Sequence, residues 1–155
     1  MRAYPLVLPL LAGCATNPLS GARYWTLEQC ANGPSDTVRL LNADGTALAV
    51  VPRKSCKAIA SASDKIQAQA NYTVWRVYIA GIEQRNAFAT RDKQGRSVAV
   101  VTLGMVKAVG TDEDAWAGLL GHEIAHHVRR HSEGRKEAQA NTVDLPAAHS
   151  CVGGV

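Results

Sequence analysis

Residues 118–135 read GLLGHEIAHHVRRHSEGR, and His122, Glu123 and His126 within them have types and spacing that could do chemistry. On a helix, about 100° per residue puts His122 and His126 within about 40° of each other, one turn apart. Two neutral imidazoles so placed can bind one tetrahedral zinc ion. Glu123, next to the first of them, can act as general base on a water and then carry the proton to a leaving amine. H-E-x-x-H on a helix is therefore a candidate centre for zinc-assisted peptide hydrolysis. A catalytic zinc needs three protein ligands, and this stretch supplies two.

Such a centre needs a helix to carry it, and the flanking residues supply one. Thr111 and Asp112 are N-cap candidates, and Asp112, Glu113 and Asp114 put negative charge at a helix N-terminus. Trp116, Leu120, Ile124 and Val128 recur every fourth residue as an apolar stripe. The expectation is a helix from about 112 to near 139, its stripe on the core and its histidines roughly 180° round, facing a cleft.

Upstream, YTVWRVYIAG reads as a well-buried strand. EQRNAFATRDKQGRSVAVVTLG continues through a turn at Lys93-Gln94-Gly95 into a second strand, Ser97 to Leu103, the two strands forming an antiparallel pair. GMVKAVG suggests a short helix closed by Gly110. SCKAIASASDKIQAQAN, with Ile59 and Ile66 seven apart, reads as a helix. TVRLLNADGTALAVVP reads as a hairpin about Asn42-Ala43-Asp44-Gly45. Residues 15–35 are rich in turn formers and read as a tether leading into an irregular segment. The fold class expected is α+β, with antiparallel strands packed on the long H-E-x-x-H helix.

The 155 residues suffice for one domain with a modest core. A 46% hydrophobic and 19% charged composition excludes wholesale disorder. The net charge of +4 is mild, and its one dense basic cluster, Arg129, Arg130, Arg135 and Lys136, sits where a helix dipole favours cations. No nucleic-acid partner is expected.

The N-terminus, MRAYPLVLPLLAGCATNP, has one cation, an apolar run too short to cross a bilayer, and then Leu11-Ala12-Gly13-Cys14. That ending resembles the lipobox of bacterial lipoproteins. The resemblance implies removal of residues 1–13 and a lipid on Cys14 that anchors the chain to a membrane of the bacterial cell envelope, facing the periplasm. In a Gram-negative source Ala15 is compatible with the outer membrane. A plain secretory signal or a buried N-terminal segment are the alternatives. Export leaves Cys30, Cys56 and Cys151, of which Cys30 and Cys56 could close a loop in an oxidising compartment, leaving Cys151 over. The divisions expected are 1–13 signal peptide, 14–35 tether, 36–60 small hairpin region, 61–140 peptidase core and 141–155 irregular tail.

From Trp75 to about Gln139 the chain resembles the zinc metalloendopeptidase family that includes HtpX and the CAAX prenyl proteases, particularly its small periplasmic members. The residues carrying the resemblance are Asn86-Ala87-Phe88-Ala89, SVAVVTLG ending at Gly104, and LLGHEIAHHVRRH. It implies zinc as cofactor, His122 and His126 as its ligands, Glu123 as catalytic base, and a protein or peptide substrate from the envelope. It also implies that the strand leading into Gly104 borders the cleft and that substrate pairs along a strand edge.

The family's third ligand is a glutamate in a later Glu-x-x-x-Asp motif, and no such motif occurs in these residues. Glu133 lies about 10 Å along the axis from His126, too far to share an ion bound through bonds of about 2 Å, and Glu137 is further. His131 points about 140° away from His126. His127 and His131 are read as surface or structural residues. Asp144 and His149 could fold back to the site, but their tail offers no packed element to hold them. The chain is therefore read as lacking the family's second metal-bearing helix. Two functions follow: a zinc metalloendopeptidase of envelope proteins, or a non-catalytic, degenerate or truncated peptidase-like lipoprotein that binds misfolded ones. A structural module built around residues 36–60 is a third.

Overall fold

Short apolar runs make four strands, β1 (Tyr24–Thr26), β4 (Arg76–Ala80), β5 (Ala87–Arg91) and β6 (Ser97–Thr102). They form one sheet in the order β1-β4-β6-β5. The structure is a computed structural model that describes residues 22–74, 76–92, 94–133 and 151–153. β6 is buried along its whole length because both its neighbours are strands. The sheet is mixed: β4 runs parallel to β6, with Val77 opposite Ala99 and Ile79 opposite Val101. The antiparallel partner of β6 is β5, with Phe88 opposite Val100. The expected antiparallel pairing of the first strand with the Ser97 strand is thus corrected. β5 returns along the outside, and β6 inserts between it and β4, so β6 ends up running the same way as β4. The β5–β6 turn is held by Asp92, which accepts from the backbone N–H of Gln94 and of Arg96 and from Arg96 Nε.

A second sheet contains β2 (Thr37–Leu41), β3 (Ala47–Pro52) and β7 (Cys151–Gly153), in the order β3-β2-β7. The hairpin turns where expected, with Gly45 at φ 82°, a conformation that side chains resist. Asp44 accepts from Thr46 N–H at 2.9 Å and from the Thr46 hydroxyl at 2.6 Å, which holds its carboxyl below the usual range. The tail, read as irregular, contributes β7, with Cys151 opposite Leu40 and Val152 opposite Arg39. Three residues carry too little pattern to announce a strand; the open edge of β2 recruits them.

The stretch read as a tether is corrected more strongly. Tyr24, Trp25, Leu27, Cys30 and Ala31 are buried, Trp25 completely. Residues 24–26 form β1 on the edge of β4, with Trp25 opposite Ile79, and α1 (Leu27–Ala31) follows at once. α2 (Arg53–Ala70) ends at Asn71, whose φ of 47° closes it in the left-handed region. It runs straight through residue 60, where the sequence reading placed a division.

α3 (Leu103–Val109) is closed by Gly110 at φ 62°, as expected, and Thr102 caps it by accepting from Met105 N–H. Gly104 N–H donates to Ile82 O at 2.9 Å, which brings the two backbones so close that a Cβ at Gly104 would overlap the Glu83 carbonyl. Gly104→Ala should therefore cost about 1–3 kcal/mol or more, because the neighbour is backbone and cannot swing aside; a urea melt of the variant checks this. α4 (Glu113–Glu133) carries the motif and packs on α2, β5 and β6. The architecture is α+β. Among the described residues no helix is long and apolar enough to cross a membrane.

Candidate metal centre

α4 is held at its first turn and again at His127. Asp112 Oδ1 accepts from Ala115 N–H at 3.0 Å, bearing out the expected cap. Trp116, fully buried, donates its indole N–H to Gly110 O at 3.0 Å. Glu113 takes Lys65 Nζ at 2.7 Å and the Ser61 hydroxyl at 3.0 Å, tying the first turn to α2. That ion pair is exposed and contributes little to stability. Further along, His127 is 2% exposed and its Nε2 bonds to Val98 O of β6 at 2.8 Å. A carbonyl only accepts, so the ring carries its proton there. Tyr72 stacks on this imidazole at 6.1 Å between centroids, and its hydroxyl is 2.7 Å from Ser97 Oγ.

These contacts correct the expected stripe. A repeat of four drifts by about 40° each step, so by the third step it has left the core. Val128 is accordingly 44% exposed. The core-facing residues are Trp116, Leu120, Glu123, Ile124 and His127, all 3% exposed or less, and they share an arc of about 100°. Two polar residues thus occupy the buried face. His122 lies about 150° from the middle of that arc, nearly opposite the core, and His126 about 110° from it, on the flank of the helix. His122 is exposed and His126 half-buried.

The structure brings His122 and His126 together. Their Nε2 atoms are 3.0 Å apart, with ring centroids at 4.6 Å and planes at 86°. Two nitrogens bound to one tetrahedral zinc at about 2.0–2.1 Å would stand about 3.3 Å apart, so a few tenths of an ångström separate this arrangement from a shared ion. The same two atoms can instead share one proton as a hydrogen bond. Glu123 lies between the histidine flank and the core. A carboxylate 3% exposed is costly to hold charged unless it is partnered, which makes such groups candidates for a working acid or base.

Among the described residues no group of three or more His, Cys, Asp or Glu side chains is placed to hold a metal ion. The two imidazoles therefore fit zinc as two of three donors. Cys14, Glu137, Asp144 and His149 lie outside the described residues, as do the side chains of His131, Glu133 and Cys151. β6, the strand leading into Gly104, is paired on both sides, by β4 and by β5, and so is not the strand edge that a substrate would pair along. The edge strand nearest α4 is β5, which contains Ala87-Phe88-Ala89. The sequence reading left His127 between a surface and a structural role, and the structure assigns it the structural one. The available signal was its position, eleven residues after Trp116 and about 20° from it round the helix.

The model of "Peptidase family M48" matches residues 53–146. A protease HtpX homologue of Salinibacter ruber is 28% identical over 117 residues, 76% of this chain and 38% of that protein. Homologues of the same name from Aquifex aeolicus and Gemmatimonas aurantiaca are 33% and 38% identical over 63 residues, 41% of this chain and 20% and 22% of theirs. The chain thus spans between 20% and 38% of the length of these relatives. No solved structure matches it. Because the matched segment covers more than half the chain and includes α2, the mixed sheet's last three strands and the H-E-x-x-H helix, the protein belongs to peptidase family M48, with relatives of the HtpX type.

Proposed function

We propose that this chain is a zinc-dependent metalloendopeptidase domain that cleaves peptide bonds of envelope proteins, anchored to the membrane by a lipid on Cys14. The observation that carries the reading is the convergence of His122 and His126, with Nε2 atoms 3.0 Å apart, beside the buried carboxylate of Glu123. The lipid anchor and periplasm-facing location are supported by the sequence of residues 1–14 alone.

His122 and His126 would hold the ion through their Nε2 atoms. When bound, zinc supplies Lewis-acid polarisation of the scissile carbonyl and makes a water more acidic. Glu123 takes the proton of the attacking water and delivers it to the leaving amine nitrogen, as a general base and then a general acid. Among the described residues β5 is an edge strand of its sheet, a position suited to pairing with an extended substrate backbone. His127 and Tyr72 hold α4 at a fixed rotation against β6, so the flank bearing the two ligands does not turn inward.

The test is zinc stoichiometry and affinity of the purified full chain, with His122→Ala as control. One zinc per chain, weakened at least tenfold in the control, is the expected result. It would also place a third donor outside the described residues, with Asp144 and His149 the first to replace. Unchanged binding in the control would overturn the reading. Two described donors favour a second reading, the non-catalytic peptidase-like lipoprotein that binds misfolded proteins. It predicts no proteolysis even in excess zinc, with peptide binding retained.

A further inference from the structure

We propose that Cys30 and Cys56 are joined in the mature protein by an intrachain disulfide that fastens α1 to α2. Both cysteines are completely buried thiols in one core cluster. The side chains of Cys30 and Cys56 interact, and that interaction lowers the Cys56 thiol. Independent contacts hold the two backbones in place around them. Arg53, one turn before Cys56 on α2, is 5% exposed and donates to Cys30 O at 2.8 Å. The same guanidinium donates to the carbonyls of Asn32 and Ser35, and Arg53 N–H donates to Asp36 O at 2.8 Å. Gly33, at φ 127°, lets the chain wrap this close, since a Cβ there would meet Arg53 Nη2 at 2.9 Å. The segment after Cys30 is thus clamped onto the first turn of α2, and the cross-link would close a loop whose ends the fold already holds together.

Formation is a two-electron oxidation that loses two protons, and the oxidant is a small-molecule or protein disulfide. The Cys56 thiolate attacks one sulfur of that disulfide and expels a thiolate, giving a mixed disulfide. Cys30 thiolate then attacks the Cys56 sulfur and releases the second thiol. Once the core has closed, the Cys30 side chain and the charge of Arg53 lower the Cys56 thiol against the opposing effect of burial. Neither sulfur is exposed in the folded state, so the exchange belongs to folding and precedes closure of the core. Because α2 packs against α4, the link braces the support of the H-E-x-x-H helix without contributing to its chemistry. It does not depend on zinc binding.

The experiment is refolding of the full chain from denaturant in mixed reduced and oxidised glutathione, followed by non-reducing digestion and mass spectrometry. The expected product is a peptide pair joined through Cys30 and Cys56, about 2 Da lighter than the two thiol peptides together. Adding reductant should lower the melting midpoint by roughly 10 °C, as expected for opening a loop of this size. The double variant Cys30→Ser, Cys56→Ser should show no reductant-dependent shift. Recovery of both cysteines as free thiols or separate glutathione adducts would overturn the proposal. So would their linkage to Cys14 or Cys151, or a Cys30–Cys56 link whose reduction leaves the midpoint unchanged.

Discussion

Glu123→Gln should abolish proteolysis of an unfolded protein substrate while leaving zinc binding intact. The substitution preserves the size and shape of a side chain that is 3% exposed on the core-facing arc of α4, so the helix and the two imidazoles on its flank keep their positions. What it removes is the ability to take a proton from water and return it to the departing amine. Loss of a positioned general base costs a factor of about 10²–10⁴ in rate. The measurement pairs a cleavage assay with zinc titration of wild type and variant. Equal cleavage in the two proteins would remove Glu123 from the mechanism. Joint loss of cleavage and zinc would make it a structural residue that maintains the site.

Trp116→Ala should destabilise the protein by about 3–5 kcal/mol, the range for removing a buried aromatic side chain. Trp116 is fully buried and anchors the first turn of α4, both through its contacts in the main core and through the indole bond to Gly110 O at 3.0 Å. A loss of this size is a large part of the roughly 5–15 kcal/mol that holds a domain together. The midpoint should fall by roughly 10 °C, read by circular dichroism on heating. Trp116→Phe is the control: it keeps most of the volume and gives up the hydrogen bond, so it should retain more than half of the lost stability. A variant that melts with wild type would mean that α4 is held chiefly by α2 and the His127 contact.

Some features were legible because they are local. The hairpin about Asn42-Ala43-Asp44-Gly45, the Gly110 stop and the Asp112 cap each depend on a few adjacent residues and their own backbone angles. The pairing of His122 with His126 belongs to the same class, because one helical turn brings positions i and i+4 together whatever surrounds them. The apolar stripe of α4 was legible in its first three members and wrong in the fourth. A repeat of four keeps to the core only briefly, and beyond Ile124 the core-facing position passes to His127. A histidine can serve there because Val98 O accepts its proton and Tyr72 covers its ring.

What only the tertiary structure decided is who pairs with whom. Tyr24–Thr26 looked like part of a tether because three residues show no period, yet β4 had an open edge and Trp25 a large apolar surface to bury. β4 and β6 proved parallel because the chain laid β5 outside and inserted β6 between them. Cys30 and Cys56 were matched in the sequence by compartment and number, whereas their contact is made by the Arg53 clamp. By itself, then, the sequence determined the helix, its N-terminal cap and the two histidines one turn apart, since the helical turn sets that spacing. Strand order, the buried face of α4 and the meeting of distant residues were decided by which apolar surfaces could be buried together. That competition runs over the whole chain, and no local stretch contains it.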